Sequence, residues 1–200
     1  MKIMSERRGN SWRLRLVALQ RLLDSRSGAS AIEFAFLMPV LIALYLSSYE
    51  ITTAYTASTK VLKAASTVAD SVARHSTVTK ATLAEMIDAA KATLAPESAD
   101  GLGLKITGVS VDSAGNASVL WSWDQDGNAP YVKGSEVDAP DDLKTPSSFL
   151  IRAEASLPHE ILLYMTSAGS FDRSTRSITL NREFYFKQRL GDEIPCGDCS

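Results

Sequence analysis

The chain has 200 residues, 45% of them apolar and 22% charged, which allows one domain plus an anchor. Its formal net charge of -2 is unevenly spread: residues 1–27 hold seven Lys/Arg against two acids, and residues 50–200 hold fourteen against twenty. So acidic a larger part argues against nucleic acid as a partner, because phosphates need a basic surface.

Residues 1–27 read as a basic cytoplasmic leader. Trp12, Leu14, Leu16, Val17, Leu19, Leu22 and Leu23 alternate with Arg13, Arg15 and Arg21, the pattern of a short helix lying on a membrane surface. A disordered leader fits the same residues.

From Ala29 to Tyr49 the chain runs 21 residues with Glu33 as its sole charge. At about 1.5 Å per residue such a helix spans roughly 30 Å, the hydrocarbon thickness of a bilayer. The Lys/Arg excess before it places the N-terminus in the cytoplasm and the C-terminal part across the membrane. Pro39 removes one backbone donor near the middle, a kink point that membrane helices tolerate. A carboxylate in lipid is expensive, so Glu33 calls for a partner, a function, or a position close enough to the interface to reach headgroups near the helix start. A secretory signal cleaved after Ala54 would leave Glu33 and the long basic start unexplained.

Beyond Glu50 the helical pattern continues to about Arg74. Ile51, Ala54/Tyr55, Ser58, Val61/Leu62, Ala65, Val68/Ala69 and Val72 form a stripe of small and apolar residues. This stripe is expected to face partner helices, the domain's own sheet, or both. A second helix opens near Thr79, with Thr82 and Glu85 at capping-box spacing, and ends before Pro96. Leu83, Met86, Ile87, Ala90 and Leu94 form its apolar face.

The period then changes to two. Leu104 and Ile106, then Val109 and Val111, alternate with a phase shift at Gly108 that reads as a bulge in that strand. Residues 113–116 read as a turn. Val119, Trp121 and Trp123 share a face on the returning strand, and Ile151, Ala153, Ala155 and Leu157 share one on a third. Ile178, Leu180, Phe184 and Phe186 mark a fourth, with Arg182 as the exception. Residues 124–147 read as a long acidic loop, and residues 160–165 as one or two helical turns near the membrane. The class is α+β: a single transmembrane helix continuing into a long periplasmic helix, a second helix, then a small antiparallel sheet. The expected parts are the leader at 1–28, a transmembrane helix at 29–50 and a periplasmic domain at 51–200.

No catalytic constellation appears, and an enzyme is not expected. Asp124-Gln-Asp126-Gly-Asn128 departs from the EF-hand pattern and reads as a polar turn, with cation binding as a lesser alternative. Cys196-Gly-Asp-Cys199 lacks further ligands for zinc and the strand–helix setting of a thioredoxin-type motif. Outside the cytoplasm its default is a local disulfide or a tie between subunits. No metal and no cofactor are expected.

The run Gly28-Ala29-Ser30-Ala31-Ile32-Glu33-Phe34 resembles the processing site of type IV prepilins and pseudopilins. That resemblance implies cleavage after Gly28 by a membrane-embedded prepilin peptidase and an assembly role for the acid at the fifth mature position. The long leader is similar to the type IVb branch, and Ala29 departs from the phenylalanine common there in the type IVa branch. More specifically, Arg26-Ser-Gly-Ala-Ser-Ala-Ile-Glu-Phe-Ala-Phe-Leu-Met-Pro-Val-Leu resembles the TadE/TadG-like family of tight-adherence (Flp) pilus assembly proteins, over about residues 26–75. The intact Gly28/Glu33 pair and the modest length favour the TadE side over TadG-type members, which are thought to stay uncleaved. The resemblance implies a pseudopilin-like component of the bacterial inner membrane. Its partners would be membrane lipid, other pilins and pilus assembly proteins, and the peptidase. Glu33 and Phe34 would act in assembly. The alternative is an uncleaved single-pass protein with a periplasmic scaffold or binding domain.

Overall fold

The computed structural model describes residues 27–161, 177–189 and 191–199. The leader and residues 162–176 lie outside these, so the expectations of a membrane-surface helix before Ser27 and of helical turns after Glu160 fall outside the described residues. Glu160 itself ends a strand. The chain divides into two units, Met1–Tyr49 and Glu50–Ser200. Among the described residues, two helices precede four strands, an α+β arrangement.

Helix α1 is Ser27–Val72 and contains Pro39. Its Ser and Thr residues are compatible with the helix because their hydroxyls bond back to the preceding turn. Ser47 Oγ donates to Ala43 O at 2.8 Å, Thr56 Oγ1 to Thr52 O at 2.8 Å and Thr59 Oγ1 to Tyr55 O at 3.0 Å. At its end the hydrogen bonds tighten: Arg74 N and His75 N donate to the carbonyls of Ser71 and Val72. The His75 ring adds a bond from Nδ1 to Ser71 O at 2.9 Å, which gives an end carbonyl a second partner.

Helix α2 is Lys80–Leu94. Its cap is Thr79, in extended backbone, whose hydroxyl accepts from Thr82 N at 3.3 Å. The cap is therefore Thr79, three residues before the Thr82 expected from the Thr82/Glu85 spacing, and Thr82 takes the N3 position. Leu83, Ala90 and Leu94 are buried, and Met86 and Ile87 are half-buried against the same core.

The strands are β1 (Gly103–Val111), β2 (Ala117–Asp124), β3 (Ser148–Glu160) and β4 (Ser177–Lys187). They form one antiparallel sheet in the order β2-β1-β3-β4. Two tight turns have the same chemistry, built on the sequences DSAGN and DQDGN. Asp112 Oδ1 accepts from Ala114 N and Asn116 N, and Asp124 Oδ1 from Asp126 N and Asn128 N. Gly115 and Gly127 take the positive φ that each turn needs. The Asp124–Asn128 segment is thus a polar turn whose first carboxylate is engaged by backbone amides.

A bulge does lie at the Gly108/Val109 step, but the extra residue is on the partner strand. β1 pairs with β3 in unbroken register from Gly103↔Ser156 to Val111↔Ser148. Against β2, Gly108 pairs with Trp121 and Val109 with Val119, so the extra residue is Leu120 on β2. Val109 and Val111 simply face the other side. The sheet has two buried faces: Leu104, Ile106, Trp121, Trp123, Ile151 and Ala153 pack beneath the helices, while Val109, Val111, Val119 and Leu150 pack under Val137 and Ala139 of the 125–147 loop. The Leu120 bulge also moves Val119 to the loop side, away from the face of Trp121 and Trp123. The acidic loop is therefore a cover. Gly134 N donates to Val119 O and Val137 N to Ala117 O, which closes the outer edge of β2.

Candidate functional site

In the described part of the first unit, α1 opens at Ser27, so Gly28 and Ala29 lie in its first turn. Gly28 is exposed, and a Cβ there would meet nothing within 4 Å. Packing therefore does not require a glycine there. Glu33 is exposed and sits in the second turn, past the orphan amides of the helix start. Helix-dipole stabilisation of Glu33 is correspondingly weak.

Among the described residues, nothing covers the apolar side chains around Glu33. Ile32 is 60% exposed, Phe34 58%, Phe36 75% and Leu44 62%. Within α1 the segment from Ser30 is long and apolar enough to cross a membrane, and the most apolar window is wholly unburied. Nine large aliphatic or phenyl side chains lie between Ala29 and Tyr49. At about 0.3–0.6 kcal/mol each they favour insertion by roughly 3–5 kcal/mol. One acid at the bilayer centre would cancel most of this, at about 2.5–3.5 kcal/mol. Glu33 lies four residues from Ala29, about 6 Å along the axis, well short of the centre. A membrane span over this segment would therefore tolerate Glu33 near its end.

In the second unit, the continuation of α1 buries the expected stripe from Val61 to Val72, while Ile51, Tyr55 and Leu62 of that stripe stay exposed. Val61, Ala64, Ala65, Val68, Ala69 and Val72 are buried in the unit's own core, and Ala57 is buried as well. Four of these seven are alanines, which bring the helix backbone close to its neighbours. Ile51 is 70% exposed, Tyr55 74% and Leu62 36%. These three belong to the expected stripe but are not covered by the unit's own core. Arg182, the odd residue of β4, donates from Nε to Ser58 Oγ at 2.9 Å, and Arg189 pairs with Asp70 at 3.1 Å. These contacts fix β4 alongside α1. Ile178 is 42% exposed, so its expected place in the buried row of β4 is not realised.

One feature escaped the sequence reading, and a second was read only in part: the local disulfide was expected, its contacts were not. On the loop side of the sheet, Arg152 pairs with Glu183 at 2.7 Å and Glu154 at 3.2 Å, and its guanidinium lies 5.5 Å from the Tyr131 ring and 5.8 Å from that of Tyr185. The Tyr131 hydroxyl donates to Glu154 at 2.8 Å. Burial, then the hydrogen bond to Glu154, raises the Tyr131 pKa, and burial pushes Tyr185 up to about 12. The alternating Arg152/Glu154 and Glu183/Tyr185 positions carry a period-two signal for this cluster. It holds the loop on the sheet, and each charge finds its partner within it.

The second feature is at the other end of the chain. Cys196 and Cys199 form a disulfide. Asp198 between them accepts from Lys80 N at 2.8 Å, at the start of α2. Ile194 is fully buried, and its carbonyl accepts from Trp121 Nε1 at 2.7 Å. Cys196, Asp198 and Cys199 lie close enough to suggest ligands, but the disulfide occupies both sulfurs.

Residues 28–70 match the family model for TadE-like protein, from the glycine at the head of α1 to Asp70 near its end. No curated protein and no solved structure matches the chain.

Proposed function

From the TadE-like character of residues 28–70, we propose that this protein is a membrane-anchored, pseudopilin-like component required to assemble a tight-adherence pilus. The observation that carries the reading is a family match beginning at Gly28 on an uncovered apolar helix with its acid five residues on. The basic leader stays in the cytoplasm and residues 50–200 fold in the periplasm. A prepilin peptidase cuts after Gly28 and leaves a cationic amine on Ala29. The Glu33 carboxylate of a neighbouring subunit pairs with such an amine, so two charges that are costly alone in lipid satisfy one another and set the register. Phe34 and the residues around Pro39 contact lipid and neighbouring helices. Outside the membrane, the exposed Ile51, Tyr55 and Leu62 face is the part of α1 left for partner subunits. The protein acts mechanically, with no reaction of its own.

The test is the mature N-terminus of protein recovered from its native host, read by terminal sequencing or intact mass. A start at Ala29 is expected. A start at Met1 would refute processing and leave an uncleaved single-pass protein with a scaffold or binding domain.

A further inference from the structure

We propose that Cys196-Gly-Asp-Cys199 is a thiol–disulfide exchange site whose state controls a clasp between the C-terminal tail and the first turn of α2. The tail's attachments are concentrated in a few residues. Val78 N donates to Pro195 O at 3.0 Å, Gly197 N to Val78 O at 3.2 Å, and Lys80 N to Asp198 Oδ1 at 2.8 Å. Trp121 Nε1 holds the Ile194 carbonyl, and Ile194 fills the core. The disulfide closes a ring of four residues around Asp198 and so presets the carboxylate that supplements Thr79 at the α2 start. Lys80 in turn reaches from Nζ to Gly127 O at 3.0 Å, which links the clasp to the turn after β2.

The two sulfurs are not equivalent. Cys199 is 2% exposed, while Cys196 is half-buried. Both border a cavity of about 300 Å³ that is also lined by Trp121, Tyr131, Lys133 and Pro195. Access selects Cys196 Sγ for attack; Lys133 and Glu193 both line the cavity, so exposure and not charge makes the choice. The co-substrate is a dithiol. One of its thiolates bonds to Cys196 Sγ as the Cys196–Cys199 bond breaks, and the electron pair leaves on Cys199 Sγ, which takes a proton. The second thiolate then attacks the sulfur bonded to Cys196. Cys196 leaves as a thiolate and is protonated, and the dithiol becomes a disulfide. Closure is the reverse, driven by a protein disulfide of the oxidising compartment. The site acts the same way whether or not the anchor is processed.

The experiment uses the full chain in detergent micelles. With glutathione as the monothiol probe, the mixed disulfide is expected on Cys196 by peptide mass; an adduct on Cys199 overturns the assigned attack. With excess dithiothreitol, hydrogen exchange at the Val78, Lys80 and Gly197 amides is expected to accelerate about 20-fold, the loop-closure value for so small a ring. The Ile106 and Ala153 amides should keep their protection. Unchanged protection at Lys80 would show that the disulfide controls nothing, and loss across the sheet would make it a staple of the whole unit. Either overturns the clasp. Asp198→Ala, with the disulfide intact, should accelerate Lys80 exchange; no change there would remove the carboxylate from the coupling.

Discussion

The two faces of α1 beyond Glu50 should separate folding from assembly. Ala65 is fully buried beneath the unit's own core, so Ala65→Leu inserts three carbons where no space exists. Such overpacking costs about 1–3 kcal/mol. At about 2–4 °C per kcal/mol for a unit of this size, the melting temperature should fall by roughly 2–12 °C. Ile51→Ser with Tyr55→Ser changes two side chains that are 70% and 74% exposed. Surface substitutions of this kind stay within about 0.5 kcal/mol each, or a few degrees at most. If a partner subunit covers both, burial worth about 1.5–3 kcal/mol apiece is lost, and association weakens by more than about a hundredfold. The assay pairs thermal unfolding of full-length protein in detergent with surface pilus counts in a complemented deletion strain. The double variant should melt near wild type and lack pili. If it melts as low as Ala65→Leu, the outer face is structural and the reasoning fails. Normal pili on the double variant would remove it from assembly.

Three further outcomes are expected. Glu33→Ala should insert into membranes normally by fractionation yet impair piliation, since one half of an ion pair worth about 3–5 kcal/mol when broken is gone; normal pili would make the acid incidental. Gly108→Ala would place a Cβ 2.5 Å from the Trp121 ring and 2.8 Å from Phe149, straining the bond to Ile194, so the urea midpoint should drop by the equivalent of about 2–4 kcal/mol. An unchanged midpoint would refute that packing. The Tyr185 phenol is held neutral up to about 12 in the folded state against an ordinary 10.0, so between these values the unfolded state loses its proton first and stability falls as pH rises. Tyr185→Phe lacks the bond to Asp138 O and should be offset by a constant below pH 10, then lose less than wild type between pH 10 and 12. Parallel stability curves across that window would contradict the assignment.

Much of this protein is legible in the chain because much of it is local. A 21-residue apolar run, the five-residue spacing from Gly28 to Glu33, and the switch of period after Pro96 each depend on neighbours in sequence, and these identify the span, the family resemblance and the α+β order. Periodicity also finds α1 and most of its inward face, Val61, Ala65, Val68, Ala69 and Val72, but not where along the helix that burial begins: Ile51, Tyr55 and Leu62 are exposed, and Ala57 and Ala64 are buried in addition. The phase shift at Gly108 carries the same ambiguity. A bulge within β1 and a strand buried on both faces give one pattern; the unbroken pairing with β3 puts the extra residue on β2, and the cover from Val137 and Ala139 buries the second face. Most remote from the sequence is the clasp. The Asp198–Lys80 bond joins residues 118 apart, and the Trp121–Ile194 bond residues 73 apart. No propensity or spacing encodes such contacts; they exist only once the sheet has brought its edge strand, its second helix and its tail together.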